Sequence, residues 1–243
     1  MNTISVSVPV TEVSWIFPAS FFRLKGVVER SVVFAMIAGA MLMSWGWDQV
    51  LVFFSHPART AVFAVIALQF ALSVAQVVAG NSVTVLPRKR LRKPLFFLLL
   101  SVATVVTMSS PFFDGRVLLY LLGGDITRYS GLAMYVAGAV FAIWAQRYQG
   151  RFLSSELAIQ ERHRLITDGP FALIRHPRYA GLILMFLGFS MVFLSKVGLV
   201  GGVVGSILFL VRVHQEENFL AGEFGGEWTR YAKSTKRVVP WVY

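Results

Sequence analysis

The stretch HRLITDGPFALIRHPRYAG, residues 163–181, decides how this chain is read. It sets two histidines, three arginines (Arg164, Arg175, Arg178) and a Gly169-Pro170 turn directly ahead of a hydrophobic span. A second hydrophobic span follows, and Glu216 and Glu217 stand directly after it. Only the connection at Ser195-Lys196-Val197-Gly198 separates the two spans, so they form an antiparallel hairpin. The hairpin returns the glutamates to the face where the Arg-His-Pro step lies. Ionisable groups this dense beside apolar helices are costly at a membrane unless they bind something. The pattern outlines a site for a polar ligand next to lipid.

Outward from this stretch, the chain is 56% hydrophobic over 243 residues, with a mean hydropathy of +0.66. Lipid is therefore the solvent for most of it. The apolar runs predict six spans at 31–54, 60–80, 95–110, 131–147, 179–195 and 197–211, several near the lower length limit for crossing. The fold class expected is all-α, a polytopic transmembrane bundle ending in a helical hairpin. Residues 1–130 hold three spans and an interfacial segment marked by Trp15, Phe17, Phe21 and Phe22. Residues 131–243 hold the chemistry. A short interfacial helix is expected at Val117–Leu122, a basic loop at Pro87–Pro94 and a polar loop at 148–170. Gly181 and Gly188 lie two turns apart, and Gly201 and Gly205 are spaced for close helix approach.

The net charge of +11 raises the question of nucleic acid, but its distribution answers it. With both termini cytoplasmic, the inside segments hold 19 of the 23 basic residues, and only Arg59, Arg116, Arg128 and Lys196 fall outside. That is a topology signal, so no nucleic-acid partner is expected. The first thirty residues lack a basic region followed by an apolar run, so the first span is expected to insert and stay. A compact chain without cysteine suits a bacterial plasma membrane. Oligomeric state is not legible.

The candidate chemistry is narrow. Without cysteine there is no thiolate nucleophile and no Cys-based metal site. His163, His176 and His214 lack the spacing of a zinc site, so no metal is expected. No nucleophile elbow, P-loop or dinucleotide fingerprint occurs. Glu216 and Glu217 point about 100° apart on a helix and cannot act as a pair at one centre. Arg212, one turn before Glu216, is either its ion-pair partner or a fork for a carboxylate or phosphate. His176 occupies a helix start that Ser or Asp would cap better.

The sequence His163-x-Leu-Ile-Thr-x-Gly-Pro-Phe-x-x-x-Arg-His-Pro-x-Tyr-x-Gly181 is followed, after the hairpin, by Glu-Glu-x-x-Leu-x-x-x-Phe-Gly-x-x-Trp-x-x-Tyr231 and Arg-Val-Val-Pro240. Together these closely resemble the isoprenylcysteine carboxyl methyltransferase family and the related phospholipid N-methyltransferases. The resemblance covers about 150–243. It implies S-adenosylmethionine as cofactor, held in a cytoplasm-facing pocket. By the same resemblance, His163, Arg164, Leu165 and Ile166 line one side of it. Phe171 and the run His176, Pro177, Arg178 and Tyr179 surround it, Glu216 meets its polar end, and Glu156 adds a polar contact. Arg212 falls at the family's substrate-binding arginine, the catalytic position, and the acceptor is a lipophile arriving from the bilayer among membrane lipids. Phe171 and Trp228 stand where relatives often carry tyrosine.

Methyl transfer from a sulfonium to a carboxylate needs positioning rather than a base, because the nucleophile is already anionic. An amine acceptor must lose a proton, and His176, His214 or a glutamate would have to take it. Besides a prenylcysteine carboxylate, an aminophospholipid or a small hydrophobic thiol or acid fits as acceptor. Two other readings compete: a nicotinamide-dependent membrane sterol or lipid reductase, which shares the Arg-His-Pro-x-Tyr-x-Gly step, and a non-enzymatic scaffold.

Overall fold

The computed structural model describes residues 19–46, 50–79, 87–91, 94–114, 121–149, 157–160 and 165–239. In chain order these form α1 (Ala19–Trp45), α2 (Val50–Phe54), α3 (Pro57–Val78), β1 (Pro87–Leu91), α4 (Pro94–Met108), α5 (Ser110–Phe113) and α6 (Gly124–Gln149). They continue as β2 (Leu157–Gln160), α7 (Pro170–Leu173), α8 (Pro177–Val192), α9 (Lys196–Phe224) and α10 (Gly226–Ser234). Among the described residues, five helices are long and apolar enough to cross a membrane, and α8, with 16 residues, is a shorter apolar one. The protein is a multi-pass integral membrane bundle of helices.

Element bounds differ from expectation in particular places. The first span was expected at 31–54, whereas α1 ends at Trp45 and α2 starts at Val50. Gly46, at φ 115°, breaks the run there, and the apolar residues of α2 had disguised the break. Helix α6 starts ahead of 131, and α9 continues past 211 to Phe224, because helix-forming polar residues extend both beyond their apolar cores. Phe21 and Phe22 belong to α1, while Trp15, Phe17 and 117–120 lie outside the described residues. The basic loop and the polar loop contain β1 and β2, which pair antiparallel with Lys89 opposite Ile159 and Leu91 opposite Leu157. This short ladder is an addition to the helical bundle.

The tightest packing in the bundle is between α6 and α8. Gly131 and Gly138 on α6 have the same spacing as Gly181 and Gly188 on α8, and the antiparallel helices match them in pairs. A Cβ at Gly181 would stand 2.5 Å from the Gly138 carbonyl oxygen, and one at Gly188 would stand 2.5 Å from that of Gly131. Only glycine permits this backbone contact. Helices α8 and α9 form the expected hairpin, and Ser195 caps α9 by accepting from the Gly198 N–H at 2.9 Å.

At the hairpin-turn end of the bundle, Met41, Phe53, Val62, Tyr135, Phe189 and Phe193 form the core. A buried ion cluster lies beside it. Arg128 Nη1 donates to Asp114 Oδ2 at 2.8 Å and to the Val192 carbonyl at 2.6 Å. Arg59 Nε lies 3.6 Å from Asp114 Oδ2, with its guanidinium 4.4 Å from the Trp45 ring. This cluster ties α1, α3, α6 and α8 to the end of α5, far from the Arg-His-Pro turn.

Candidate functional site

The site forms where α8 begins and α9 leaves the apolar layer. At 1.5 Å per residue, Arg212 lies about 24 Å and Glu216 about 30 Å along α9 from Lys196, so they straddle the edge of a hydrocarbon core about 30 Å thick. Pro177 takes the first position of α8, where a missing N–H costs nothing. His176 precedes it without capping the helix through its side chain. Its ring is thereby free for tertiary contacts.

A small polar cavity at this end is lined by Gln149, Phe171, Arg175 to Tyr179, and Glu216. The Tyr179 hydroxyl donates to Glu216 Oε2 at 2.9 Å, which fixes that carboxylate at the wall. Gln149 Oε1 is buried against the same cavity without a hydrogen-bond partner among the described residues. A buried amide oxygen in that condition costs free energy unless a ligand N–H meets it.

Glu217 faces the other way and has a different task. It is 7% exposed and accepts from Arg175 Nε at 2.9 Å on Oε1 and from Arg237 Nε at 2.8 Å on Oε2. His176 Nε2 lies 3.4 Å from its Oε1. Arg175 also donates to the carbonyls of Ala232 and Thr235. The backbone completes the seam: Arg175 N–H donates to Lys236 O at 2.7 Å, and His176 N–H to Arg237 O at 2.9 Å. The last described segment of the chain is thus laced onto the Arg-His-Pro turn, with Glu217 between them. The charge-assisted contacts are the strong ones in this set.

Of the expected site residues, Phe171, His176, Pro177, Arg178, Tyr179 and Glu216 meet at the cavity. Leu165 and Ile166 pack beside Phe171 in an apolar cluster with Ala145, Trp228 and Tyr231. The Tyr231 hydroxyl donates to Phe171 O at 2.7 Å, so Trp228 and Tyr231 hold the pocket's back wall. Arg212 is buried, with its guanidinium 5.2 Å from the Phe96 ring and 5.8 Å from that of Phe97 on α4. His214 is exposed. Glu156, His163 and Arg164 lie outside the described residues. The sequence reading missed Gln149 and the separate role of Glu217. Gln149 ends α6 in an unremarkable polar run, and Glu217 was distinguishable from Glu216 only by helix phase, about 100° per residue.

The α6–α8–α9 framework that builds this cavity matches the isoprenylcysteine carboxyl methyltransferase family over residues 131–222. Over this stretch the chain is similar to that family. Protein-S-isoprenylcysteine O-methyltransferase A of Arabidopsis thaliana is 33% identical over 115 residues, covering 46% of this chain and 58% of that protein. Phosphatidylethanolamine N-methyltransferase of Mus musculus is 30% identical over 133 residues, covering 54% of this chain and 63% of that protein. The chain therefore spans less than two thirds of the length of either relative. A solved structure of a eukaryotic intramembrane Ras methyltransferase, isoprenylcysteine carboxyl methyltransferase, superposes with a TM-score of 0.55 at 13% identity, covering 97% of this chain and 88% of the other. That likeness extends the family fold to the helices before residue 131.

Proposed function

We propose that this chain is an S-adenosylmethionine-dependent methyltransferase acting on a lipophilic acceptor, a carboxylate such as that of a prenylcysteine. Residues 131–243 form its core, and both termini face the cytoplasm. The basic residues support that orientation. A bacterial plasma membrane is inferred from the compact, cysteine-free chain alone, since the relatives named above are eukaryotic. The observation that carries the reading is the cavity itself. A carboxylate held by Tyr179 and a Gln149 amide oxygen with no hydrogen-bond partner among the described residues face one small space. Acceptors of this kind fit the ammonium and amine N–H groups of that cofactor.

When bound, S-adenosylmethionine supplies an electrophilic methyl group. The chain's own residues do the rest. Glu216 and Gln149 receive N–H donors, and Tyr179 keeps Glu216 aimed. Phe171, braced by Tyr231, closes the pocket on its apolar side. Arg212, one turn nearer the lipid, presents a guanidinium to an anionic acceptor group, and the rings of Phe96 and Phe97 limit its swing. A carboxylate acceptor requires no proton transfer, so the site needs no base at His176, which lies 3.4 Å from Glu217.

Glu216→Gln is expected to weaken S-adenosylhomocysteine binding about tenfold, the equivalent of about 1.4 kcal/mol, with thermal stability nearly unchanged. Calorimetry on purified protein measures both. Unaltered affinity would remove Glu216 from the site. Arg212→Lys keeps the charge but loses the fork, so turnover on a prenylcysteine acceptor should fall at least about tenfold while cofactor affinity holds. Lost cofactor affinity with a normal acceptor dependence would make Arg212 a brace for Glu216.

A second reading has one observation in its favour. The match to the mouse phosphatidylethanolamine enzyme covers more of this chain than the match to the plant enzyme. An aminophospholipid acceptor would make turnover rise with pH as its ammonium loses a proton, whereas a carboxylate acceptor gives no such rise above pH 6.

A further inference from the structure

A second cavity, of about 490 Å³, lies within the bundle among α1, α3, α4, α6 and α8. It shares no residue with the polar cavity at the Arg-His-Pro turn. Its walls are almost wholly apolar, formed by Phe34, Ile37, Ile66, Met108 and Met185. Phe34 and Phe70 stack with ring centroids 4.4 Å apart, giving it a flat aromatic side. Near the end toward which α1 begins, Arg30 donates to the Ser73 carbonyl. The volume lies within the range of small-molecule sites, which are typically apolar with a few placed polar groups.

Glu29, Arg30, Ser73 and Thr104 also line the cavity, and one further polar pair joins α3 to α6 across it. The Tyr135 hydroxyl donates to Gln69 Oε1 at 3.3 Å. The Gln69 amide nitrogen has the Met185 thioether as its acceptor, at 3.8 Å. Sulfur is a weak acceptor and an amide N–H a strong donor. Gln69 lies near the middle of α3, nine residues before its end at Val78, where water is scarce and an under-used donor is costly. A polar side chain at that depth marks a place where something polar is received.

We propose that this cavity is a separate lipophile-binding site for a neutral, long-chain molecule bearing a carbonyl oxygen. The carbonyl accepts from the Gln69 amide, and the hydrocarbon lies along Phe34, Ile37 and Met108. This inference does not rest on methyl transfer, and it concerns residues the polar site does not use.

The test uses the full chain in nanodiscs with a photoreactive alkyl benzophenone, whose ketone is both the hydrogen-bond acceptor and the reactive group. Labelling is expected on α1, α3 and α8 at the cavity. A long-chain methyl ketone should compete about fivefold better than an alkane of equal length, the value of one net hydrogen bond. Gln69→Leu should erase that advantage while labelling persists. Tyr135→Phe should retain it, and Ile37→Trp should fill the space and abolish labelling. S-adenosylhomocysteine binding should be unchanged by Gln69→Leu and by the ketone. Equal competition by ketone and alkane, labelling spread over all lipid-facing helices, or displacement of the label by S-adenosylhomocysteine would each overturn the proposal. The last would also make the two cavities one site.

Discussion

Glu217→Gln is expected to lower stability by roughly 3 kcal/mol, because the change leaves two guanidinium groups facing a neutral amide in a buried seam. Arg175 and Glu217 are both about nine-tenths buried, while Arg237 is a third exposed. Arg175 therefore carries most of the penalty and Arg237 finds water. The variant should unfold at a lower temperature in detergent and become sensitive to proteolysis within 232–239, where the tail is laced down. Cofactor affinity should fall with it, since Arg175 and His176 lose their anchor. Glu216→Gln next door is expected to do the reverse, losing affinity at constant stability. If both variants melt like the wild type, the seam is not what holds the tail, and Glu217 has another role.

Gly188→Leu should be more damaging still. Even a Cβ there would meet the Gly131 carbonyl oxygen at 2.5 Å and the Tyr135 nitrogen at 2.7 Å, and both obstacles are backbone that cannot rotate aside. Overpacking a tight contact costs about 1–3 kcal/mol for an added methylene or two, and a leucine adds several groups between two helix axes. Loss of monodisperse protein in size-exclusion chromatography is expected, with Gly188→Ala partly impaired. Gly39→Ala is the control, because a Cβ at Gly39 meets nothing within 4 Å. Normal yield and melting for Gly188→Leu would mean that α6 and α8 are less closely joined than this contact requires.

The sequence made the hairpin and the clustering of Arg-His-Pro with the glutamates legible for physical reasons. A connection as short as Ser195–Gly198 allows one arrangement, and charge beside lipid has few places to go. The break after Trp45 was hidden because Val50–Phe54 is as apolar as the helix before it. The partnership of Asp114 with Arg128 and Arg59 joins residues from three elements and leaves no periodic trace. The division of labour between Glu216 and Glu217 depends on helix rotation, which charge pattern does not encode. Gln149 became visible only as an unsatisfied atom. The pairing of β1 with β2 joins two polar loops that lack the alternation of a half-buried sheet.

The shortness of α8 has a consequence for the depth at which the polar cavity sits. Its 16 residues span about 24 Å at 1.5 Å per residue, less than the roughly 30 Å of a typical hydrocarbon core. Its two main packing partners, α6 with 26 residues and α9 with 29, meet no such deficit, so within this core the mismatch is local to α8. Lipid beside α8 must thin, or headgroups must dip, at a cost of fractions of a kcal/mol per ångström. Where the thinning falls at the start of α8, it brings the headgroup layer down to the Arg-His-Pro turn. Aqueous solutes there descend toward the acyl chains, and a membrane-borne molecule need not climb out to meet them.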